Sequence, residues 1–558
     1  MDVEMSSGAA GAVPKLEHPP GAREARRRRV LLVAGLVALP LLAFFVLGRE
    51  SASTVWEIAS AKLTGMDDDA AGNATSGGAD ELLGGLLAPG MDRRSCRSRY
   101  ETWRYYKHFP YAPSPHLLRK LRAYEARHRR CAPGTPLYAR SVERLRSGRS
   151  GAGEAEECRY VVWLPFDGLG NRMLSMVSGF LYALLTSRVL LVALPPDSAD
   201  LFCEPFPGTT WLLPLEDFPV ANLFGLGHNP EQSYTRLLHR KKIVVDDPLS
   251  NATAAPVPAY VYLSLGYQLT DRIFFCGEHQ LALGRVNWLL LYSDLYFVPS
   301  LYPIAGFGDE LRRLFPARES ASHLLLRYLL HPTNPVWGLV TRYYHAYLAP
   351  ATRRIGVQVR MFGFASVPVD DMYNQILACS RQERILPEID ADGDAAAGTG
   401  SKTSTAILIA SLYPDYYERL RARYYEHAAA KGGGGAWVGV FQPTHEERQA
   451  TESLAHNQRA LAEVYLLSFS EALLTSGLST FGYVSSSLAG VRPAILLTAF
   501  RHKVPATPCR RAVSMEPCNL TPPRGVECRR SEAADDGGDV ARHVRVCEDF
   551  HDGVKLFD

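Results

Sequence analysis

With 558 residues the chain is too long for one hydrophobic core, since domains run to about 100–200 residues, so at least two domains are expected. Hydrophobic residues make up 47%, charged residues 21% and aromatics 10%, a globular composition that excludes a largely disordered protein. Of the formal charge of +3, residues 1–29 account for +2, with six basic side chains against four acidic ones; the nearly neutral remainder lacks the basic footprint of a nucleic-acid binder.

Residues 1–29 read as a cytosolic tail ending in Arg26–Arg29, and residues 30–48 (VLLVAGLVALPLLAFFVLG) as a transmembrane signal anchor. Nineteen uncharged residues in helical form, at about 1.5 Å each, roughly match a bilayer's hydrocarbon core. A cleavable signal peptide would have a shorter apolar run ending in a small-residue cleavage site, whereas Arg49 and Glu50 follow directly. Arginines on the N-terminal side give type II topology, with everything after residue 49 across the membrane. All ten cysteines fall on that side, which fits disulfide formation; without any C-x-x-C pair, zinc is the weaker reading. Four of them lie between Cys509 and Cys547 and predict a stapled, loop-rich C-terminal end. Sequons stand at Asn73, Asn251 and Asn519, the last weakened by Pro522, so Asn73 and Asn251 are the candidate glycosylation sites.

Residues 49–80, rich in Ala, Ser, Gly and Asp, predict a flexible stem. Residues 81–150 read as helix and loop. From 160 the pattern becomes strand (Tyr160–Phe166), glycine turn (DGLGN), helix (RMLSMVSGFLYALLTS) and strand (Arg188–Leu194), a unit that implies a parallel sheet. Residues 200–350 give no clear alternation. From 354, five strands (RIGVQVRMF, TAILIAS, AWVGVFQ, EALLTS and PAILLTA) alternate with four helices, including a long one predicted over EERQATESLAHNQRALAEVYLLSF. The fold class is therefore α/β, with two Rossmann-like domains, 81–350 and 351–558, whose facing cleft suits a nucleotide and a second substrate.

Three features can carry chemistry. Asp167-Gly168-Leu169-Gly170-Asn171-Arg172 occupies a strand-to-helix turn, but Met173 replaces the third glycine of a dinucleotide fingerprint, which argues against NAD. Either its backbone approaches a substrate or Asn171 simply caps the helix. Ser479, Thr480 and Phe481 stand at the equivalent turn of the second domain, suited to a phosphate or to plain N-capping. Arg360 ends a strand at the sheet's carboxyl edge and is placed either to clamp a diphosphate or to form a surface ion pair. The D-x-D matches at Asp390–Asp394 and Asp67–Asp69 lie in an Ala/Gly-rich insertion and in the stem, and His445-Glu446-Glu447-Arg448 lacks a zincin's second histidine. No metal site is assigned.

The segments LGNRMLSMVSGFLYALLTSRVLLV, LFCEPFPGTTWLLP, HPTNPVWGLVTRYYHAYL, IGVQVRMF, MYNQILAC, FQPTHEERQ and TSGLSTFGYVSSSLAG resemble, in order and spacing, the plant xyloglucan fucosyltransferase family of galactoside 2-alpha-L-fucosyltransferases, from about Glu81 onward. The resemblance implies a GT-B-like fold, a Golgi type II membrane protein, GDP-fucose as donor, inversion at the fucose anomeric carbon, no required cofactor or metal, and a galactose-terminated wall glycan as acceptor. It also implies that Arg360 holds the donor diphosphate together with Ser479, Thr480 and Phe481. Gln442 and His445 would line the donor side, Asn171 and Arg172 would lie near the transferred sugar, and Asp294 would act on the acceptor hydroxyl. A structural carboxylate at Asp294 is the alternative. The FGFASVPVDD stretch after Arg360 diverges from the family pattern. A non-catalytic, membrane-anchored glycan-binding protein is the rival function, and homodimerisation stays open.

Overall fold

The computed structural model describes residues 80–558 except 149, 151–157, 246–256, 267–268, 305, 390–403, 430–436, 527 and 529–541. The expected tail, membrane anchor and nearly all of the stem, the Asn73 and Asn251 sequons, and both aspartate-rich matches lie outside the described residues. Among the described residues no helix is long and apolar enough to cross a membrane.

Two helices lead into the first sheet. In α1 (Pro115–Cys131), Ser114 accepts from the Leu117 amide at 3.0 Å and Pro115 pre-sets the first turn. Its Leu117, Leu121, Tyr124, His128 and Cys131, spaced by fours and threes, form one buried stripe. Thr135 and Pro136 start α2 (Pro136–Arg146) in the same way.

β1 (Tyr160–Leu164), α3 (Leu169–Leu185) and β2 (Val189–Val192) form the first crossover. With β3 (Tyr260–Leu265) and β4 (Trp288–Ser293) they build a parallel sheet of order β2-β1-β4-β3, in which Val161 pairs with Leu190 on one side and Leu289 on the other. Nearly every residue of these strands is buried, which fits the unbroken apolar runs of a sheet covered on both faces. Here β3 and β4 resolve the stretch that showed no pattern in sequence.

α4 (Ala321–Leu329) and α5 (Asn334–Tyr343) precede the second sheet. That sheet contains β5 (Arg353–Val359), β6 (Thr405–Ser411), β7 (Val438–Phe441), β8 (Ala472–Ser476) and β9 (Ala494–Leu496), separated by α6 (Val369–Glu383), α7 (Pro414–Glu426), α8 (Leu454–Ser468) and α9 (Thr480–Ala489). The expected alternation of five strands and four helices is present. In space the order is β7-β6-β5-β8-β9, the Rossmann arrangement, and β10 (Cys509–Arg511) adds an antiparallel edge beside β9. One expectation fails: the long helix begins only at Leu454, because Ser453 caps it by accepting from the His456 amide, and residues 443–453 form a loop instead.

One core runs through both sheets and their helices, and Gly78–Asp558 forms a single compact unit. α4 packs on α9, where Arg327 donates to the Leu488 carbonyl at 2.7 Å and the buried His323 ring meets the Ser487 carbonyl at 2.7 Å. Five disulfides join all ten cysteines: Cys96–Cys203, Cys131–Cys158, Cys276–Cys528, Cys379–Cys509 and Cys518–Cys547. The expected C-terminal staple is thus only the last of these. Cys509 and Cys528 instead tie the C-terminal region back to α6 and to the first lobe. Asn519 is fully buried and donates to the Ser300 hydroxyl at 2.7 Å, so the folded chain cannot offer it to a glycan.

Candidate active site

In each sheet the strand order reverses at one point, between β1 and β4 and between β5 and β8. Loops leaving neighbouring strands on opposite sides of such a point diverge and open a crevice at the carboxyl edge. Asp167–Arg172 follows β1, Asp294 follows β4, Arg360 follows β5 and Ser479–Phe481 follows β8. The two crevices face each other and enclose a cavity of about 660 Å³.

The glycine loop makes the closest approach between lobes. A Cβ on Gly170 would lie 2.7 Å from the Thr480 hydroxyl and 2.9 Å from the Phe481 amide nitrogen, so only glycine fits there. Thr480 donates to the Asn171 side-chain oxygen at 2.6 Å, which ties the loop to the start of α9. That helix start is held open: Leu478 takes a left-handed φ of 61° and donates its amide to Asp549 at 2.7 Å, while Ser479, at the N-cap, makes no side-chain cap bond. The first-turn amides, with no intrahelical partners, therefore give the cavity a positive end for an anion.

Arg360 adds the positive charge. Its backbone amide donates to the Ser476 hydroxyl at 2.9 Å, which sets the residue beside the β8 turn, and its guanidinium donates to Gln449 at 3.0 Å. Among the described residues it forms no ion pair. Its guanidinium carbon lies 5.7 Å from the centre of Phe362, whose ring stacks on that of Phe364 at 5.5 Å. Asp294 lines the same cavity from the first lobe. One of its oxygens is buried without a hydrogen-bond partner, and burial pushes the carboxyl up to about 6, helped by the charge of Asp167. Gly266, at a φ of 113°, leaves room for it: a Cβ there would lie 3.0 Å from Asp294 Oδ1.

A cationic, amide-lined wall and the Asp294 carboxyl thus border one cavity. The xyloglucan fucosyltransferase family model matches residues 51–529. The chain belongs to this family. It is 45% identical over 482 residues to a galactoside 2-alpha-L-fucosyltransferase of Pisum sativum, covering 86% of this chain and 82% of the relative. To the Arabidopsis thaliana enzyme of the same name it is 45% identical over 486 residues, 87% and 84% of the two chains. A mutant of Arabidopsis thaliana FUT1 in complex with GDP superposes with a TM-score of 0.75 at 44% identity, covering 86% of this chain and all of that one. The α/β fold with parallel sheets is therefore GT-B-like, as in that structure.

Not every residue singled out by the resemblance reaches the cavity of this xyloglucan fucosyltransferase family member. Asn171, Asp294, Arg360, Ser479, Thr480 and Phe481 line it together. Arg172 does not: it is spent on the Asp167 carbonyl, on Asp197 at 2.9 Å and on Ser198 at 2.6 Å, so it shapes the glycine loop from behind. Gln442 is buried and donates to the Ser411 and Thr444 carbonyls, bracing the loops after β6 and β7. His445 is exposed and packs on the Tyr417 ring at 5.4 Å, off the cavity. The helix-cap alternative for Asn171 also fails, because the N-cap of α3 is Gly168, three residues earlier. Glu463 and Asp549 escaped the sequence reading. A lone acid inside the apolar stretch ALAEVYLLS was the available sign for Glu463, whereas Asp549 lies 71 residues from Leu478 and has no local sign.

Proposed function

We propose that the chain is an inverting α-1,2-fucosyltransferase that moves L-fucose from GDP-fucose to the 2-hydroxyl of a terminal galactose on a cell-wall glycan. Xyloglucan is the first-choice acceptor and arabinogalactan-protein side chains the second. The observation that carries this reading is that Asp294, Arg360 and the start of α9 line one cavity. In the displacement, the galactose oxygen bonds to the fucose anomeric carbon as the bond to the diphosphate oxygen breaks. The hydroxyl proton passes to Asp294, directly or through one water. A carboxyl near 6 is ionised at neutral pH yet basic enough to take that proton. Negative charge growing on GDP falls on Arg360 and the helix-start amides, so no metal is needed in this scheme.

Residues beyond about 350 serve as the donor side and residues 81–350 as the acceptor side in this proposal. An N-terminal anchor at 30–48 holds the enzyme in the Golgi membrane with the catalytic part luminal, where Asn73 and Asn251 meet the glycosylation machinery. GDP release from GDP-fucose, measured with galactose-terminated xyloglucan, with arabinogalactan and without acceptor, tests the activity. Acceptor-dependent release is expected. Release with neither glycan, from correctly glycosylated protein, would favour a glycan-binding role instead.

A further inference from the structure

After Arg360 the chain turns toward β9. Phe362 and Ala365 border a small cleft with Leu497, Thr498 and Ala499, which follow β9, and the His502 ring meets the Ser366 carbonyl at 2.7 Å. The C-terminal segment reaches the same place, and Gly477 marks the meeting point. A Cβ on that glycine would lie 2.8 Å from the Thr498 hydroxyl and 3.0 Å from the Asp549 Cβ. From here Phe362, Phe364 and Phe550 line the cavity that Asp294 borders from the first lobe.

Phe364 is exposed, yet it is held in place. Its ring stacks on that of Phe362 with the planes 15° apart, and Phe362 in turn lies against the Arg360 guanidinium. The Ala365 amide donates to the Phe362 carbonyl at 2.9 Å and the Ala365 side chain is buried, which closes the turn that carries the ring. A ring fixed at a cavity mouth, stacked on one side and wet on the other, gains hydrophobic stabilisation only when something covers it. It offers neither charge nor a hydrogen bond, so it suits a neutral partner with an apolar face. The reaction above seats a terminal galactose in the cavity while the rest of the glycan leaves through the mouth. A pyranose ring fits that place, because its C–H faces are apolar and its hydroxyls point outward into water. Ligand sites commonly combine such aromatic walls with a few polar groups.

We propose that Phe364, backed by Phe362, stacks beneath a pyranose ring of the acceptor glycan where the chain leaves the cavity, and so sets acceptor affinity without touching the donor. This rests on the transferase reading above. The test is GDP release by the detergent-solubilised full chain and its Phe364→Ala, Phe364→Leu and Phe364→Trp variants, with whichever of xyloglucan and arabinogalactan the wild type uses. Loss of the aromatic contact predicts a KM for the glycan about 10-fold higher in Phe364→Ala and in Phe364→Leu. GDP affinity by calorimetry and the urea midpoint should stay at their wild-type values, and Phe364→Trp should restore the KM. An unchanged KM for the glycan in Phe364→Ala would overturn the assignment. So would a matching loss of GDP affinity, which would mark a structural role, or a leucine variant equal to wild type, which would show that no ring is needed. Wild-type protein without acceptor-dependent release would remove the transferase reading itself, and this distinguishes the two failures.

Discussion

Replacing Asp294 with asparagine should make the protein more stable and nearly inactive. Burial raises the carboxyl from its ordinary 3.8 to about 6, so the folded state holds the proton more tightly than the unfolded chain does. The linkage has a definite sign: below about pH 4 the acid is protonated in both states and costs nothing. Between about 4 and 6 the unfolded chain ionises first, and stability falls. Above about 6 the full penalty applies, and at about 1.4 kcal/mol per pH unit it amounts to about 3 kcal/mol. Asparagine resembles the neutral acid in shape and never ionises. Urea unfolding with the disulfides intact should therefore give matching midpoints for wild type and Asp294→Asn at pH 4, and a gap growing to at most about 3 kcal/mol in favour of the variant by pH 8. Turnover of the same variant should fall by about 100-fold or more while GDP affinity changes little. A gap independent of pH, or a variant less stable at pH 8, would refute the claim that this carboxylate is desolvated and poised.

Arg360→Ala should weaken GDP binding and cut turnover by about 100-fold or more, read by calorimetry and by GDP release; near-normal activity would remove the phosphate assignment. EDTA should leave activity largely intact, whereas a loss restored by manganese would bring back the aspartate-rich segment at 390–394. Converting both Cys518 and Cys547 to serine opens a link between residues 29 apart in sequence, a change worth about 3–4 kcal/mol by chain entropy. Because Asp549 two residues on holds the Leu478 amide, GDP affinity should fall along with the urea midpoint; affinity equal to wild type would show that the turn stands without that support.

Parallel strands buried on both faces are written as short apolar runs, which is why β1, β2 and β5–β9 were legible in sequence. β4 is also such a run, but its helices and loops lack regular spacing and left it unrecognised. The long helix is overextended in the sequence reading because Glu446–Ala450 shares its composition with the helix, while Glu446 and Gln449 line the cavity instead. Arg360 and the α9 turn could be found locally, as strand end and helix start. Asp294 came only through resemblance, since nothing about one aspartate after an unread strand marks it. Arg172 shows the reverse limit: it sits in a matching motif, yet Asp197 and Ser198, 25 and 26 residues away, claim its guanidinium. The disulfide partners, up to 252 residues apart, follow from the fold alone.

The packing of α4 on α9, with Arg327 and His323 bonded into the last turn of the opposite helix, also bears on how such enzymes diversify. Because the two lobes share this buried seam, the cavity between them is a fixed seat, and neither wall can move without unpairing groups in the core. Its rim is another matter: Phe364, 67% exposed, and the 443–453 loop contribute little to that seam. Stability thus rests on the seam, and the exposed rim is left free to vary. A lineage could rewrite such a rim while the cavity behind it stays as it was.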